Sequence, residues 1–295
     1  MSTGPNFQGL DLVRLAWCDL HGMLRSKALS PNAAAAALER GIGMVSTLML
    51  KDSADRTAFK VFEPGISQQL PGFEAAGNLL MKPWASSFRR LPWAPTTGWL
   101  QCEAHFGNGQ PVPLDTRAQL RQALARLAER GLGLVCGLEV EFYVYRLRAD
   151  PGLDPHRADW PGPAPEVEMI HPGYHLLSEN ALDQCDEPLR IIGQTAQALG
   201  LPLASLEIEL GPSQVEAVFE PTDALTAADQ MVLFRSACLT ALRNSTTIWP
   251  GCSSMPGPRP RCVRPPSTAM AAFGPMRWPR SRWDGAATTA APCCG

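Results

Sequence analysis

No Cys-x-x-Cys pair occurs among the nine cysteines of this 295-residue sequence. Odd in number and scattered, they read as reduced thiols of a cytoplasmic protein and not as a disulfide framework. No apolar run approaches the roughly 18 residues that a membrane span needs. The first ten residues, MSTGPNFQGL, lack the basic-then-apolar pattern of a secretory signal. The formal net charge is -2, so no positive excess points to nucleic acid or an anionic membrane surface. One absence is local. Residues 244–295 contain no Lys, Glu or Leu, yet hold nine Pro, six Arg, four Cys and three Trp. A leucine-free, proline-dense stretch without periodicity does not easily build a packed element. The expectation is an irregular tail over 244–295, of the kind that GC-rich DNA gives when translated out of frame, with the frame shifting near residue 243.

The remaining length is enough for two domains or one large one. "LDLVRLAWCDLHGMLRSKAL", residues 10–29, reads as two strands joined around His21-Gly22. Ser30 and Pro31 then open a short helix that Gly41 closes. Apolar runs at 43–50, 77–82 and 98–106 read as strands, and Asn108-Gly109 as a turn. A small α+β domain over 10–108 follows from this pattern, with a second over 109–243. In that second part, Asp115 caps a helix whose apolar stripe is Leu120, Leu124 and Leu127, stopped by Gly131. Residues 147–170 read as a long loop, 187–199 as a helix, and Thr222 to about Arg243 as another.

The chemistry lies in two strand patterns. "GLEVEF", residues 137–142, places Glu139 and Glu141 on one face of a strand, since side chains two apart share a face. Leu138, Val140, Phe142 and Val144 take the other. "LASLEIELGPSQVEAVFE", 203–220, reads as a hairpin with the same design. Glu207, Glu209 and Glu216 are on one side; Leu206, Ile208, Val215, Ala217 and Phe219 are on the other. In one antiparallel sheet, Glu139, Glu141, Glu209 and Glu216 converge. Such a face is either simply solvated, relieved of its self-repulsion by a hard divalent cation such as Mg²⁺ or Mn²⁺, or a carboxylate pair of the glycosidase kind. Four carboxylates exceed what the last chemistry needs.

Several motifs in this order resemble the glutamine synthetase family. "GLEVEF" is similar to its Gly-x-Glu-x-Glu-Phe strand. "ELGPSQVE" resembles its Glu-x-x-Pro-Gly-Gln-x-Glu hairpin, with the same seven-residue step from Glu209 to Glu216. "HPGYHLLSENALD" falls where the family has a Gly-Tyr segment, and "CDLHGMLRSK" looks like its N-terminal Asp-x-x-Gly-x-x-Arg-x-Lys hairpin. "PLDTRAQL" matches the start of its catalytic domain, and "AADQ" lies in the helix after the second glutamate pair. The resemblance covers residues of about 10–243.

It implies an α+β protein with an N-terminal β-grasp domain (10–108), part of the antiparallel catalytic sheet (109–243) and the irregular tail (244–295). The implied activity is ATP-dependent ligation of glutamate to ammonia or another amine through a γ-glutamyl phosphate. By this analogy Glu141, Glu209 and Glu216 hold the Mg²⁺ or Mn²⁺ ion beside the substrate carboxylate. Glu139 serves a second ion on the ATP phosphates, Gly137 lies near the nucleotide, and Tyr174 near the amine. Family rings place active sites between subunits, with an acid from the neighbour; Asp52 is the candidate. The sequence departs from the pattern where Glu207-Ile208 precede the hairpin glutamate and where Ser213 replaces Gly, which leaves ammonia, a polyamine or another amine open as the acceptor. Two other classes stand beside the ligase: a non-catalytic structural or regulatory subunit of the same fold, and a metal-independent carboxylate-pair hydrolase. His171 and His175, four apart, are not read as a zinc site, because Pro172-Gly173 between them precludes a helix.

Overall fold

The computed structural model describes residues 4–149, 165–244 and 248–251. The chain divides into Met1–Arg264 and Pro265–Gly295; everything described belongs to the first unit. In chain order its elements begin with β1 (Leu12–Cys18), β2 (Leu24–Leu29), α1 (Pro31–Arg40), β3 (Ile42–Val45), α2 (Ile66–Gln69), β4 (Asn78–Pro83), β5 (Arg89–Leu91) and β6 (Ala94–His105). They continue with α3 (Thr116–Ala128), β7 (Val135–Cys136), β8 (Glu139–Ala149), β9 (Glu166–Met169), α4 (Glu179–Gln184) and α5 (Asp186–Ala198). β10 (Leu203–Ile208), β11 (Gln214–Phe219), β12 (Thr222–Asp223), α6 (Ala224–Asn244) and β13 (Ile248–Gly251) complete the set.

The first sheet has the order β2-β1-β6-β4-β3, with β5 also on β6. β1 and β6 run parallel; the other pairs are antiparallel. Helix α1 starts as its sequence dictates: the Ser30 hydroxyl accepts the Ala33 N–H and Pro31 sits in the first turn, removing a donor that no carbonyl could satisfy. Ala34 and Ala37 bury its inner face with Val13, Leu15, Trp17, Leu100 and Ala104 of the sheet. The opposite face of the same sheet is also covered. Ala16, Leu91 and Trp99 join Phe219, Phe234 and Ile192 in a second core.

The second sheet, order β10-β11-β8-β13 with β9 also on β8, is antiparallel throughout. Its apolar face lies on α5 and α6, where Phe234 meets Phe142 and Phe219 edge-on at 6.1 and 4.9 Å between ring centroids. A half-buried polar clamp ties the first sheet to α3 and α6. Arg117 of α3 forms two hydrogen bonds of 2.9 Å with Asp229 of α6. It also pairs with Glu103 of β6, and its guanidinium lies 3.9 Å from the Trp84 ring centre. Arg121 reaches the second Glu103 oxygen at 2.9 Å. Among the described residues no helix is long and apolar enough to cross a membrane.

Several expected boundaries move. The strand expected over 43–50 stops at Val45, and residues 46–50 form a 3-10 turn. The stretch 147–170 is not one loop: β8 extends to Ala149 and pairs with β9, while 150–164 lie outside the described residues. The helix of 187–199 runs from Asp186 to Ala198 and is preceded by α4. The tail is not irregular from its first residue. α6 reaches Asn244, and β13 pairs Ile248–Gly251 with Arg146–Tyr143 of β8, because an open strand edge accepts any extended chain through its main-chain groups. Cys293, Cys294 and the tail arginines lie outside the described residues.

Candidate active site

The acidic face is built by the register of three strands. Glu216 of β11 stands directly opposite Glu141 of β8 on one side and Glu207 of β10 on the other. Directly opposed residues bring their Cβ atoms to about 5 Å, so three carboxylates share one row. Glu139 lies in the next row, opposite Val218. Glu209 follows the end of β10, and its N–H donates to the Gln214 carbonyl at 3.0 Å, which closes the hairpin. The core side of the same strands carries Ile208, Val215, Ala217 and Phe219, each at most 2 % exposed. Burial of that face fixes which residues point outward, since a slip of one residue would place the glutamates in the core.

Crowding is visible in the proton affinity of Glu216. Burial first, then a hydrogen bond to Glu209 and the charges of Glu209, Glu139 and Glu207, lift its carboxyl from an ordinary 4.5 to about 7. Burial and like charge both disfavour the ionised form of a carboxyl. Glu141 is steadied from the other side: Gln214 Nε2 donates to Glu141 Oε2 at 2.8 Å, while Gln214 Oε1 accepts the Gly211 N–H at 2.9 Å. Glu207 accepts a 2.6 Å hydrogen bond from the Ser205 hydroxyl. Among the described residues no three His, Cys, Asp or Glu side chains stand as a ready metal cage. The donors that converge are all carboxylate oxygens, which fit a hard divalent ion and not a soft one.

Tyr174 sits at the rim. Its N–H donates to the Leu210 carbonyl at 2.8 Å, so it is held against the turn that follows Glu209, and its side chain is 77 % exposed. Leu177, likewise bonded to the Ile208 carbonyl at 3.0 Å, and Leu210 make this rim apolar; both are exposed. Tyr143 and Tyr145 continue the face of Glu139 and Glu141 and stack with ring centres 6.2 Å apart. Gly137 occupies the break between β7 and β8, where an added Cβ would meet nothing within 4 Å. Asp52 is elsewhere in the fold. It staples an exposed loop of the first sheet through the Ala54 and Arg56 N–H groups, and the Arg56 bond holds its carboxyl below the usual range. His171 is buried and hydrogen-bonded to main chain, not to a second histidine. Burial pushes the Cys18 and Cys185 thiols up to about 11, so they stay protonated and unreactive at neutral pH.

Glu207 was legible as part of the alternation, but only the register shows that it faces Glu216. Ser213, Gln214 and His171 carry much of the local hydrogen bonding, and no spacing in the sequence marks them as partners.

Residues 113–246 match the catalytic-domain family of glutamine synthetase. A γ-glutamylanilide synthase from an Acinetobacter species is 34 % identical over 235 residues, covering 78 % of this chain and 47 % of that protein. Residues 113–246 thus belong to the glutamine synthetase catalytic-domain family. A γ-glutamylethanolamide synthetase of Streptomyces coelicolor is 28 % identical over 228 residues, covering 77 % of this chain and 46 % of its own length. A solved glutamine synthase homologue superposes with a TM-score of 0.63 at 20 % identity, over 83 % of this chain and 51 % of its own. The chain thus spans about half the length of the family members it matches.

Proposed function

We propose that this chain carries the metal- and acceptor-side half of an ATP-dependent γ-glutamyl–amine ligase. The observation that carries the reading is the row Glu207–Glu216–Glu141 with Glu209 beside it. It is a cluster of hard oxygen donors in which burial and the neighbouring glutamates raise the proton affinity of Glu216. Glu141, Glu209 and Glu216 would hold Mg²⁺ or Mn²⁺ next to the glutamate carboxylate, and Glu139 would serve a second ion on ATP, with Gly137 leaving room for the nucleotide. When bound, these ions neutralise the charge on the transferring phosphoryl group. Attack of the glutamate side-chain carboxylate on the γ-phosphorus of ATP would give γ-glutamyl phosphate and release ADP; the amine would then attack the acyl carbon, lose a proton and displace phosphate.

The residues of this chain contribute positioning and solvent exclusion. The Gln214 amide orients Glu141. Tyr174, Leu177 and Leu210 give the acceptor side an apolar wall, which suits an amine bearing an apolar body better than ammonia. The anilide- and ethanolamide-forming relatives support the same preference. In this reading residues 10–108 form the β-grasp domain and 109–243 the first part of the catalytic domain. Asp52 serves a neighbouring subunit in a ring, and the protein works in the cytoplasm. The test is amine-dependent phosphate release from ATP and glutamate, run with ammonia, ethanolamine, a polyamine and aniline on the chain extended to the length of its relatives. Release that is equal with every amine and without one would end the ligase reading.

A further inference from the structure

Three of the six non-glycine residues with positive φ among the described residues, Tyr174, Leu177 and Ser213, meet at one place, together with Gly173 at φ +79°. Backbone of this kind persists only where its surroundings over-determine it. Here they do. Ser213 is fully buried at φ +61°. Its N–H donates to the His171 carbonyl at 3.1 Å, its hydroxyl accepts the Ile170 N–H at 2.9 Å, and its carbonyl accepts the Val144 N–H at 2.9 Å. His171 is 3 % exposed. Its Nδ1 accepts the Gly173 N–H at 3.1 Å, which places the ring proton on Nε2, and Nε2 donates to the Gln214 carbonyl at 3.0 Å. Gly173 lies so close to the turn that a Cβ would come within 2.6 Å of the Pro212 nitrogen.

We infer that Ser213 and His171 are positioning residues that latch residues 170–177 onto the Glu209 turn, so that the acceptor wall and the metal carboxylate are set as one unit. The inference rests on the ligase reading for its purpose and on the hydrogen bonds alone for its geometry. A glycine at 213 would relax the backbone at no steric cost, but it would leave the Ile170 N–H without the hydroxyl it now uses. Serine accepts the strain and supplies the bond. From Ile170 and Gly173 the constraint passes to Tyr174 and Leu177, whose N–H groups reach Leu210 and Ile208 on either side of Glu209. From Ser213 and Gln214 it passes to Val144 and Glu141 on β8.

Hydrogen exchange read by mass spectrometry on the full chain tests this, comparing the parent with Ser213→Gly and Ser213→Ala, each with and without Mn²⁺. Without metal, the 170–178 peptide should exchange about tenfold faster in both variants, the equivalent of one net hydrogen bond, while peptides of α1 and β6 are unchanged. In the parent, Mn²⁺ should slow exchange of 170–178. In the variants Mn²⁺ should still bind by calorimetry but no longer slow that peptide, a loss of coupling that a merely structural serine would not produce. Unchanged metal-free exchange of 170–178 in both variants overturns the latch. So does undiminished metal-linked protection. Should the parent bind no Mn²⁺, the ligase reading fails by itself, and the metal-free comparison still decides the latch.

Discussion

Replacing Glu216 by Gln removes the most perturbed carboxyl of the site while keeping its shape. In the folded chain this group holds its proton up to about pH 7, against 4.5 ordinarily. A carboxyl raised by folding contributes stability that is fully present below its unfolded value and is lost as pH rises through its folded value. Without metal, the parent should therefore weaken between about pH 4.5 and pH 7, as Glu216 is forced to ionise beside Glu209, Glu139 and Glu207. Two and a half decades of proton affinity correspond to a ceiling of about 3.4 kcal/mol. Glu216 is only half-buried, and solvent screening reduces this to about 1–2 kcal/mol. For a domain of this size that is roughly 3–6 °C in Tm. Glu216→Gln has no such proton to lose. The difference in Tm between variant and parent, followed in EDTA from pH 5 to pH 8, should grow in favour of the variant. With Mn²⁺ at a hundred times the parent's Kd, the parent should regain about 2.7 kcal/mol at pH 8, and a variant that binds tenfold more weakly only about 1.4 kcal/mol. A parent and variant whose melting curves stay parallel from pH 5 to pH 8 would refute the reasoning, because Glu216 would then feel neither its burial nor the neighbouring glutamates.

Three further outcomes are expected. By calorimetry at pH 8, Glu141→Gln, Glu209→Gln and Glu216→Gln should each weaken Mn²⁺ binding about tenfold or more, since affinity follows ligand charge; Glu207→Gln, tied to Ser205, should change it far less, and equal affinities for all four would contradict the assignment. Arg117→Met should cost about 2–4 kcal/mol in urea denaturation, because Glu103, 7 % exposed, and Asp229 lose their shared cation at the junction of β6, α3 and α6. A loss under about 0.5 kcal/mol, the scale of an ordinary surface change, would show that the clamp is idle. Gly173→Ala should destabilise by more than Gly131→Ala, both having positive φ but only Gly173 facing main-chain atoms of Pro212; equal Tm losses would mean that the segment yields freely.

Local physics made much of this protein legible from its residues. Ser30-Pro31 and Asp115 start α1 and α3 where expected, because a cap needs only its own first turn. The alternation at 137–144 and 203–219 predicts two-faced strands, and burial of Val215, Ala217 and Phe219 bears it out. The glutamates were therefore visible as an outward set. Tertiary structure decided what they face. Register alone puts Glu207 opposite Glu216, and no sequence spacing encodes a register between strands set by distant burial. It also decided that β6 is buried on both faces and that β13 finds an edge on β8. Likewise His171, which on spacing was only one of a histidine pair, becomes a buried link between Gly173 and Gln214. A hydrogen bond across 43 positions depends on where the folded chain returns, and that is fixed by the packing of the whole sheet on α5 and α6.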